Sequence, residues 1–326
     1  MVNVLVTGVG AIIGYGIIKS LNQNDYYIAG SDIFEDAVGQ KWCNKFIQAV
    51  RTDSSNYLSW LRNVITENKI DIVFPGIEQD VHFISDNYEK LNDLPCKFVI
   101  NNRNLIEITK DKYKTYLYLK DNFNDNVIES IDINSSNATF DTLSQKLGCP
   151  FLLKPRCGYA SKGILKITTK KEFDFYNENK AAQYIAQPII SDNEHEYTVS
   201  VFADGNGNFG PRIAFKRKLS QEGATAKAQT YFDGNLDKLL KSLCKFIKPI
   251  GPCNFQFRKD GNTYKLLEIN PRISSATSLR KAFGYNEAQM CVDFYLFNKE
   301  IKPVKIKKGC ARRYIEDVII YDSDNI

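Results

Sequence analysis

Histidine is nearly absent: His82 and His195 are the only two in 326 residues. That argues against chemistry that recruits several imidazoles at a metal or in a proton relay. His195 lies in a polar turn and reads as a surface residue. The eight cysteines (43, 96, 149, 157, 244, 253, 291 and 310) include no Cys-x-x-Cys pair, so neither a zinc site nor a disulfide framework is indicated. Reduced thiols in a cytoplasm are the simplest reading. No uninterrupted apolar run reaches spanning length, and the apolar start Met1–Val6 lacks a basic leader, so neither a membrane span nor a signal peptide is expected. A large charge of one sign is missing too. The net charge is +5, and the densest basic run, Lys305-Ile306-Lys307-Lys308 with Arg312 and Arg313, alternates with apolar residues as an exposed strand would. This is no nucleic-acid footprint. Internal repeats and low-complexity segments are lacking. What remains, at 43% hydrophobic and 25% charged residues, is a soluble globular composition long enough for two or three packed units.

The first hundred residues alternate β-rich runs with amphipathic stretches, the pattern of a parallel sheet with crossover helices. Strands are expected at 2–6, 27–31, 47–50, 70–74 and 97–100, with helices over 14–22 and 57–68. Residues 105–121 read as one or two helices, and the Asn- and Ser-rich stretch 122–137 as a connector. A second module follows: a helix from Thr139 to Leu147, strands at 151–154 and 164–168 flanking a glycine-bearing loop, then helix and strand through Ile185. From Pro188 onward, long β-like runs at 196–203, 212–218, 253–258 and 264–270 are joined in part by the hairpin signals Asp204-Gly205 and Asp260-Gly261, which predicts antiparallel pairing. The fold class is α/β, becoming α+β in the C-terminal part.

Four motifs carry chemistry. Gly8-Val9-Gly10-Ala11-Ile12-Ile13-Gly14 sits between a strand and a helix and resembles a dinucleotide turn, with Asp32 where a ribose-binding acid would stand; Ile13, however, occupies the third glycine's place. A turn that only packs its helix closely is the competing reading. Lys154-Pro155-Arg156-Cys157-Gly158-Tyr159-Ala160-Ser161-Lys162-Gly163 joins two strands and offers backbone N–H groups and three cations to phosphate, or is a solvated hairpin loop. Lys154 ends an apolar run and so projects from a strand end into a cleft, where an anion must meet it. In Leu266-Leu267-Glu268-Ile269-Asn270-Pro271-Arg272, alternation puts Glu268 and Asn270 on one face and Leu267 and Ile269 on the other. Gln256, on the strand that Asp260-Gly261 would fold back, belongs beside Glu268. Oxygen donors of this kind suit magnesium, which arrives with nucleotide phosphates.

The order of these features resembles the ATP-grasp superfamily, and more closely its carbamoyl-phosphate-synthase-like branch of carboxylate–amine ligases, over nearly the whole chain. That resemblance implies a Rossmann-like pre-ATP-grasp domain over 1–103, a small lid subdomain with its leading helices over 104–187, and a large subdomain with the metal site over 188–326. It implies ATP between two antiparallel layers, under the loop 156–163. Lys112, Lys154, Gly158, Ser161 and Gly163 would meet ATP and its phosphates; Gln187, Pro188, Ile189 and Ile190 would form the hinge along the adenine edge; Glu196 would take the ribose. Gln256, Glu268 and Asn270 would hold Mg2+, or Mn2+ in its place. Arg272, with Lys216 or Arg217, would steady the transferred phosphoryl group or the oxyanion. Departures are Gln256 where many relatives carry an acid, and Gln187 where many have glutamate.

The reaction so implied joins a carboxylate to an amine or ammonia through an acyl phosphate. Glu78, Ser274, Ser275, Thr277 and Arg280 are the expected substrate contacts. Candidate substrates are an amino acid, a short peptide or a sugar acid of surface-polysaccharide assembly, and many relatives are dimers. The partners expected are small molecules, with no nucleic acid and no membrane. The readings from other classes are an NAD-dependent oxidoreductase using Gly8–Gly14 and a non-catalytic nucleotide-binding protein.

Overall fold

The computed structural model describes residues 1–21, 24–134, 138–158, 163–178, 183–190, 196–221 and 223–319. Ser161, with Tyr159, Ala160 and Lys162 of the glycine loop, lies outside the described residues, as do His195 and the end of the first expected helix at Asn22.

Strands β1 (Val2–Thr7), β2 (Tyr26–Asp32), β3 (Lys45–Gln48), β4 (Ile72–Phe74) and β5 (Lys97–Phe98) form an all-parallel sheet in the order β3-β2-β1-β4-β5. Parallel strands are buried on both faces, so β1 and β4 are nearly continuous apolar runs. Val4 and Val6 pack toward Ile17, Ile18, Ile28 and Phe74, while Leu5 turns to Leu61, Ile65 and Ile84. The Ile12–Ile18 and Tyr57–Glu67 helices cover opposite faces.

A small antiparallel sheet is built from β6 (Ile131–Asp132), β7 (Phe151–Pro155), β8 (Leu165–Ile167) and β9 (Tyr184–Pro188), in the order β6-β9-β7-β8. The Phe140–Leu147 and Lys170–Glu178 helices pack Leu143, Leu147 and Phe173 against Phe151 and Leu153. Strand β6 falls within the stretch expected to be only a connector. Two residues carry no local strand signal; their pairing to Ile185 and Ala186 is what makes them a strand.

The large antiparallel sheet runs β14-β13-β10-β11-β12-β15: β10 (Glu196–Asp204), β11 (Phe209–Leu219), β12 (Thr225–Tyr231), β13 (Ile250–Asp260), β14 (Thr263–Asn270) and β15 (Cys310–Arg312). Both expected hairpins are present, Asp204-Gly205 linking β10 to β11 and Asp260-Gly261 linking β13 to β14. The run 305–308 is not a strand; the edge strand begins at Cys310. One face of this sheet carries Tyr197, Val199, Phe255, Phe257, Leu266 and Ile269 and is covered by the Gly234–Ile247 helix. Asp233 caps that helix, accepting from the Asn235 and Leu236 N–H groups at 2.8 and 3.4 Å. Leu236, Leu240, Leu243, Cys244 and Ile247 form its buried stripe, each leucine contributing about 1.5–3 kcal/mol by leaving water. This fixes the other face of the sheet as the polar one.

Candidate functional site

The polar face is ordered by strand register. Directly paired residues share a face, so Gln256 opposite Glu268 and Asn254 opposite Asn270 put the expected donor set side by side. The expected alternation fails at one position. The pairing shifts between Gln256–Glu268 and Phe257–Leu266, leaving Leu267 as an unpaired bulge, so that Leu266 and Ile269, three residues apart, both reach the core. Beyond the strand, Arg272 folds back: its Nη2 donates to Asn270 Oδ1 and to Glu78 Oε2, both at 2.9 Å, and its Nη1 to the Ile273 carbonyl at 3.2 Å. Glu78 opens the Glu78–Asp86 helix after Pro75-Gly76, at the carboxyl end of β4. Burial alone would push its carboxyl up, but Arg272, with His82 and Lys112, outweighs burial and holds it below the usual range.

One register row along the same face reads Arg258, Glu196, Arg217, Ala228. Glu196 is buried and ion-paired: Arg217 Nη2 reaches its Oε1 at 2.7 Å and Arg258 Nη2 its Oε2 at 3.3 Å. Arg217 also donates to Thr225 Oγ1 at 3.1 Å. Lys216, expected beside Arg217 in the site, is corrected here: it pairs with Tyr197, on the opposite face with the apolar core. Alternation turns Lys216 and Arg217 to opposite faces of β11.

Across the cleft, β7 brings Lys154. Burial, then the nearby charges of Arg258 and Lys112, push its ammonium down to about 8, with Glu268 and Glu196 opposing. Four charged groups, three of them (Lys112, Glu196 and Glu268) from the expected site, are thus within electrostatic reach of one amine. Asp111 caps the Lys112–Leu119 helix through the Tyr113 and Lys114 N–H groups at 2.8 and 3.2 Å. The Lys112 N–H donates to the Arg156 carbonyl at 2.9 Å, and its Nζ to the Gly158 carbonyl at 3.0 Å. The loop base is therefore strapped to Lys112. Gly163 at its far end has φ +75°, a region costly for other residues. Arg156, expected among the loop cations, is corrected: Asp111 and Asp132 hold it at 2.6 and 2.7 Å, and its guanidinium lies over the Tyr113 ring. It anchors the loop.

Gln187 is buried on β9, where its Nε2 donates to Ser130 Oγ at 2.7 Å; Pro188 ends the strand, Ile189 is exposed and Ile190 half-buried. A cavity of about 30 Å³, room for one water, is lined by Lys112, Ile128, Ser130, Gln187, Leu267 and Glu268. Ile128, Ser130 and Leu267 were not among the expected contacts. Leu267 gains its place through the bulge, which no sequence pattern marks.

Arg280 is also corrected. It is fully buried, with Nη1 paired to the equally buried Glu287 at 3.0 Å and Nη2 donating to Asn254 Oδ1 at 2.5 Å and Thr198 Oγ1 at 3.4 Å. Ser200 donates to Glu287 Oε2 at 2.8 Å. This network lies on the same face of the sheet as Gln256 and Asn270, and with Arg280 fully buried it supports Asn254, the residue opposite Asn270, rather than meeting a ligand. Ser274 and Thr277 are buried nearby, while Ser275 is half-buried.

The N-terminal turn works as packing. A Cβ on Gly14 would stand 2.2 Å from the Gly8 carbonyl oxygen, so glycine is required for the helix to cross the turn. Asp32 already accepts from the Gly10 and Phe34 N–H groups at 2.8 and 3.1 Å. The acid that a dinucleotide ribose would need is committed to its own turn, and the oxidoreductase reading loses its ligand.

No group of three or more His, Cys, Asp or Glu side chains that could hold a metal occurs among the described residues. One carboxylate beside amide oxygens is a donor set that fits magnesium when phosphate oxygens complete the shell. Among the described residues no helix is long and apolar enough to cross a membrane.

Residues 184–318 match a family model described as ATP-grasp in the biosynthetic pathway with Ter operon. The solved N5-carboxyaminoimidazole synthetase of Staphylococcus aureus complexed with ADP matches 94% of this chain and 80% of its own at 18% identity, with a TM-score of 0.73. For the biotin carboxylase complex with β-γ-ATP from Campylobacter jejuni the values are 94%, 74%, 16% and 0.72. For the L-amino acid ligase of Bacillus licheniformis they are 91%, 74%, 15% and 0.66. At these identities the likeness is one of fold. An uncharacterised protein of Mycoplasma genitalium is 26% identical over 162 residues, 48% of this chain and 51% of that protein, so the match spans about half the length of this curated relative. The three-sheet architecture is the ATP-grasp fold, and the family match covers strand β9 and the large antiparallel sheet.

Proposed function

We propose that the chain is an ATP-dependent carboxylate–amine ligase. The observation that carries this reading is the convergence on one cleft of Lys154, Lys112 and Arg258 with the Gln256–Glu268 pair, closed at its end by Arg272. ADP- and ATP-bound structures of the same fold support nucleotide as the ligand. Lys154 and Lys112 meet the phosphates, with the loop base at Arg156 and Gly158 strapped to Lys112 beside them. The hinge 187–190 lies along the adenine, with Ile128 and Leu267 against its faces. Glu196, steadied by Arg217 and Arg258, orients the ribose side.

Glu268 and Gln256, with Asn270 beside them, would hold magnesium, which would supply charge neutralisation for the phosphoryl group being transferred. A substrate carboxylate oxygen attacks the γ-phosphorus and the bond to the ADP oxygen breaks, giving an acyl phosphate. An amine nitrogen then attacks the acyl carbon, loses a proton, and inorganic phosphate leaves. Arg272 stands where charge develops on the phosphoryl and acyl oxygens, held there by Glu78. Catalysis by positioning and charge suits a chain that offers two histidines. An amino acid, a peptide or a sugar acid is the substrate class, in a cytoplasmic small-molecule pathway, with a homodimer as the assembly to look for.

The experiment is a release assay for ADP and phosphate with pooled carboxylates and amines, the condensed product being identified by mass. Product whose formation needs both pools supports the ligase. Tight MgADP binding with no turnover in any pool would leave a nucleotide-binding protein without catalysis.

A further inference from the structure

Arg313 belongs to no motif of the ATP site, yet the fold brings it there. Strand β15 pairs with β12 with Ala311 opposite Ala228, and Ala228 in turn is opposite Arg217; two residues on, the Arg313 N–H continues the ladder to the Ala226 carbonyl at 2.8 Å. Alternation therefore turns Arg313 to the same face as Arg217, Glu196 and Arg258, and Arg312 away from it.

Its guanidinium is half-buried, with Nη2 donating to the Ser275 carbonyl, three residues past Arg272. Nη1 is buried with no partner among the described residues. The other cations of the row, Arg217 and Arg258, are answered by Glu196, and the neighbouring Arg280 by Glu287. The groups that act on the charge of Arg313 are Tyr15, Arg217 and Arg280, with no carboxylate among them, and burial adds to the cost of that charge. A buried guanidinium donor left unpaired is expensive unless an anion meets it. Tyr15 comes from the Ile12–Ile18 helix at the carboxyl edge of the parallel sheet, the side on which open sheets take ligands.

We propose that Arg313 anchors an anionic group of the substrate, a carboxylate or a phosphate remote from the carboxylate being activated, in the space between Tyr15 and the Ser275 turn. The substrate is then at least a dianion. This rests on the ligase reading for the place of activation, while the anion site is measured independently of turnover.

The test uses the full chain with saturating MgADP, titrated with succinate, citrate and glutamate in one arm, glycerol 3-phosphate and ribose 5-phosphate in a second, and acetate as the monoanion control. Affinity is read by thermal shift and calorimetry. Expected is binding of one dianion class by the wild type, weakened at least tenfold in Arg313→Met and partly restored in Arg313→Lys, with MgADP affinity unchanged in both. The responding arm identifies carboxylate or phosphate. Equal binding by wild type and Arg313→Met, binding no better than that of acetate, or loss of fold in both variants would overturn the proposal. Failure of the wild type to bind MgADP would instead sink the ligase reading.

Discussion

Glu78 and Arg272, 194 residues apart, form an ion pair at 2.9 Å that ties the carboxyl edge of the parallel sheet to the end of β14. Arg272→Ala is expected to lower product formation by about 10²–10³-fold while leaving MgADP affinity within roughly threefold, as for loss of a group acting on developing charge. Glu78→Gln should reduce turnover less, through a loosened Arg272. Steady-state kinetics beside ADP calorimetry separate the two effects, and an active Arg272→Ala enzyme would remove that residue from the mechanism.

Glu268→Gln should weaken MgADP binding roughly tenfold, about 1.4 kcal/mol. ADP binding in the presence of a chelator should stay the same. Titrations with and without magnesium check this, and equal losses in both would mean that Glu268 does not serve the metal.

Lys154 sets a pH dependence. Its folded pKa is about 8 against an ordinary 10.5, so from pH 8 to 10.5 the unfolded chain holds a proton that the folded chain has released. Stability contributed by this group is therefore lowest below pH 8 and recovers as pH rises through that window. Phosphate needs the charged form, so ADP binding at pH 8.5 should take up protons and weaken as pH rises. Calorimetry in two buffers of different ionisation heat measures the uptake; binding with no proton exchange would detach Lys154 from the nucleotide.

Glu287→Ala leaves the fully buried Arg280 without its acid and should destabilise the protein by about 3–5 kcal/mol. Arg280→Met with Glu287→Leu should recover much of that loss. Denaturant titration gives both values. If Arg280→Lys retained stability but lost substrate affinity, Arg280 would return to the substrate contacts.

The hairpins at Asp204-Gly205 and Asp260-Gly261, the pairing of Gln256 with Glu268 and the strand-end place of Lys154 were legible because turn chemistry and alternation are local. Leu236, Leu240, Leu243 and Ile247 also carried a visible helical period after a capping Asp233, and the strand-rich surroundings masked it. Lys216 and Arg217 were separable by alternation alone once β11 was a strand. Burial of Arg280, the pairing of Arg156 with two aspartates from distant segments, and the strand at Ile131–Asp132 depend on contacts between segments far apart in the chain. No local pattern reports these.

The unpaired Leu267 has a consequence for how this chain tolerates change in length. Because it sits between Leu266, opposite Phe257, and Glu268, opposite Gln256, removing it would leave both pairs in place, restore regular alternation and keep Glu268 and Asn270 on the polar face. Substitution by another aliphatic residue would keep the frame of the strand. The strand thus tolerates loss of this one residue without turning its donor set, and a chain that shares the Glu-x-Asn-Pro-Arg ending with one residue fewer before it keeps the same register in a regular β13–β14 hairpin while giving up the leucine that lines the cavity beside Glu268.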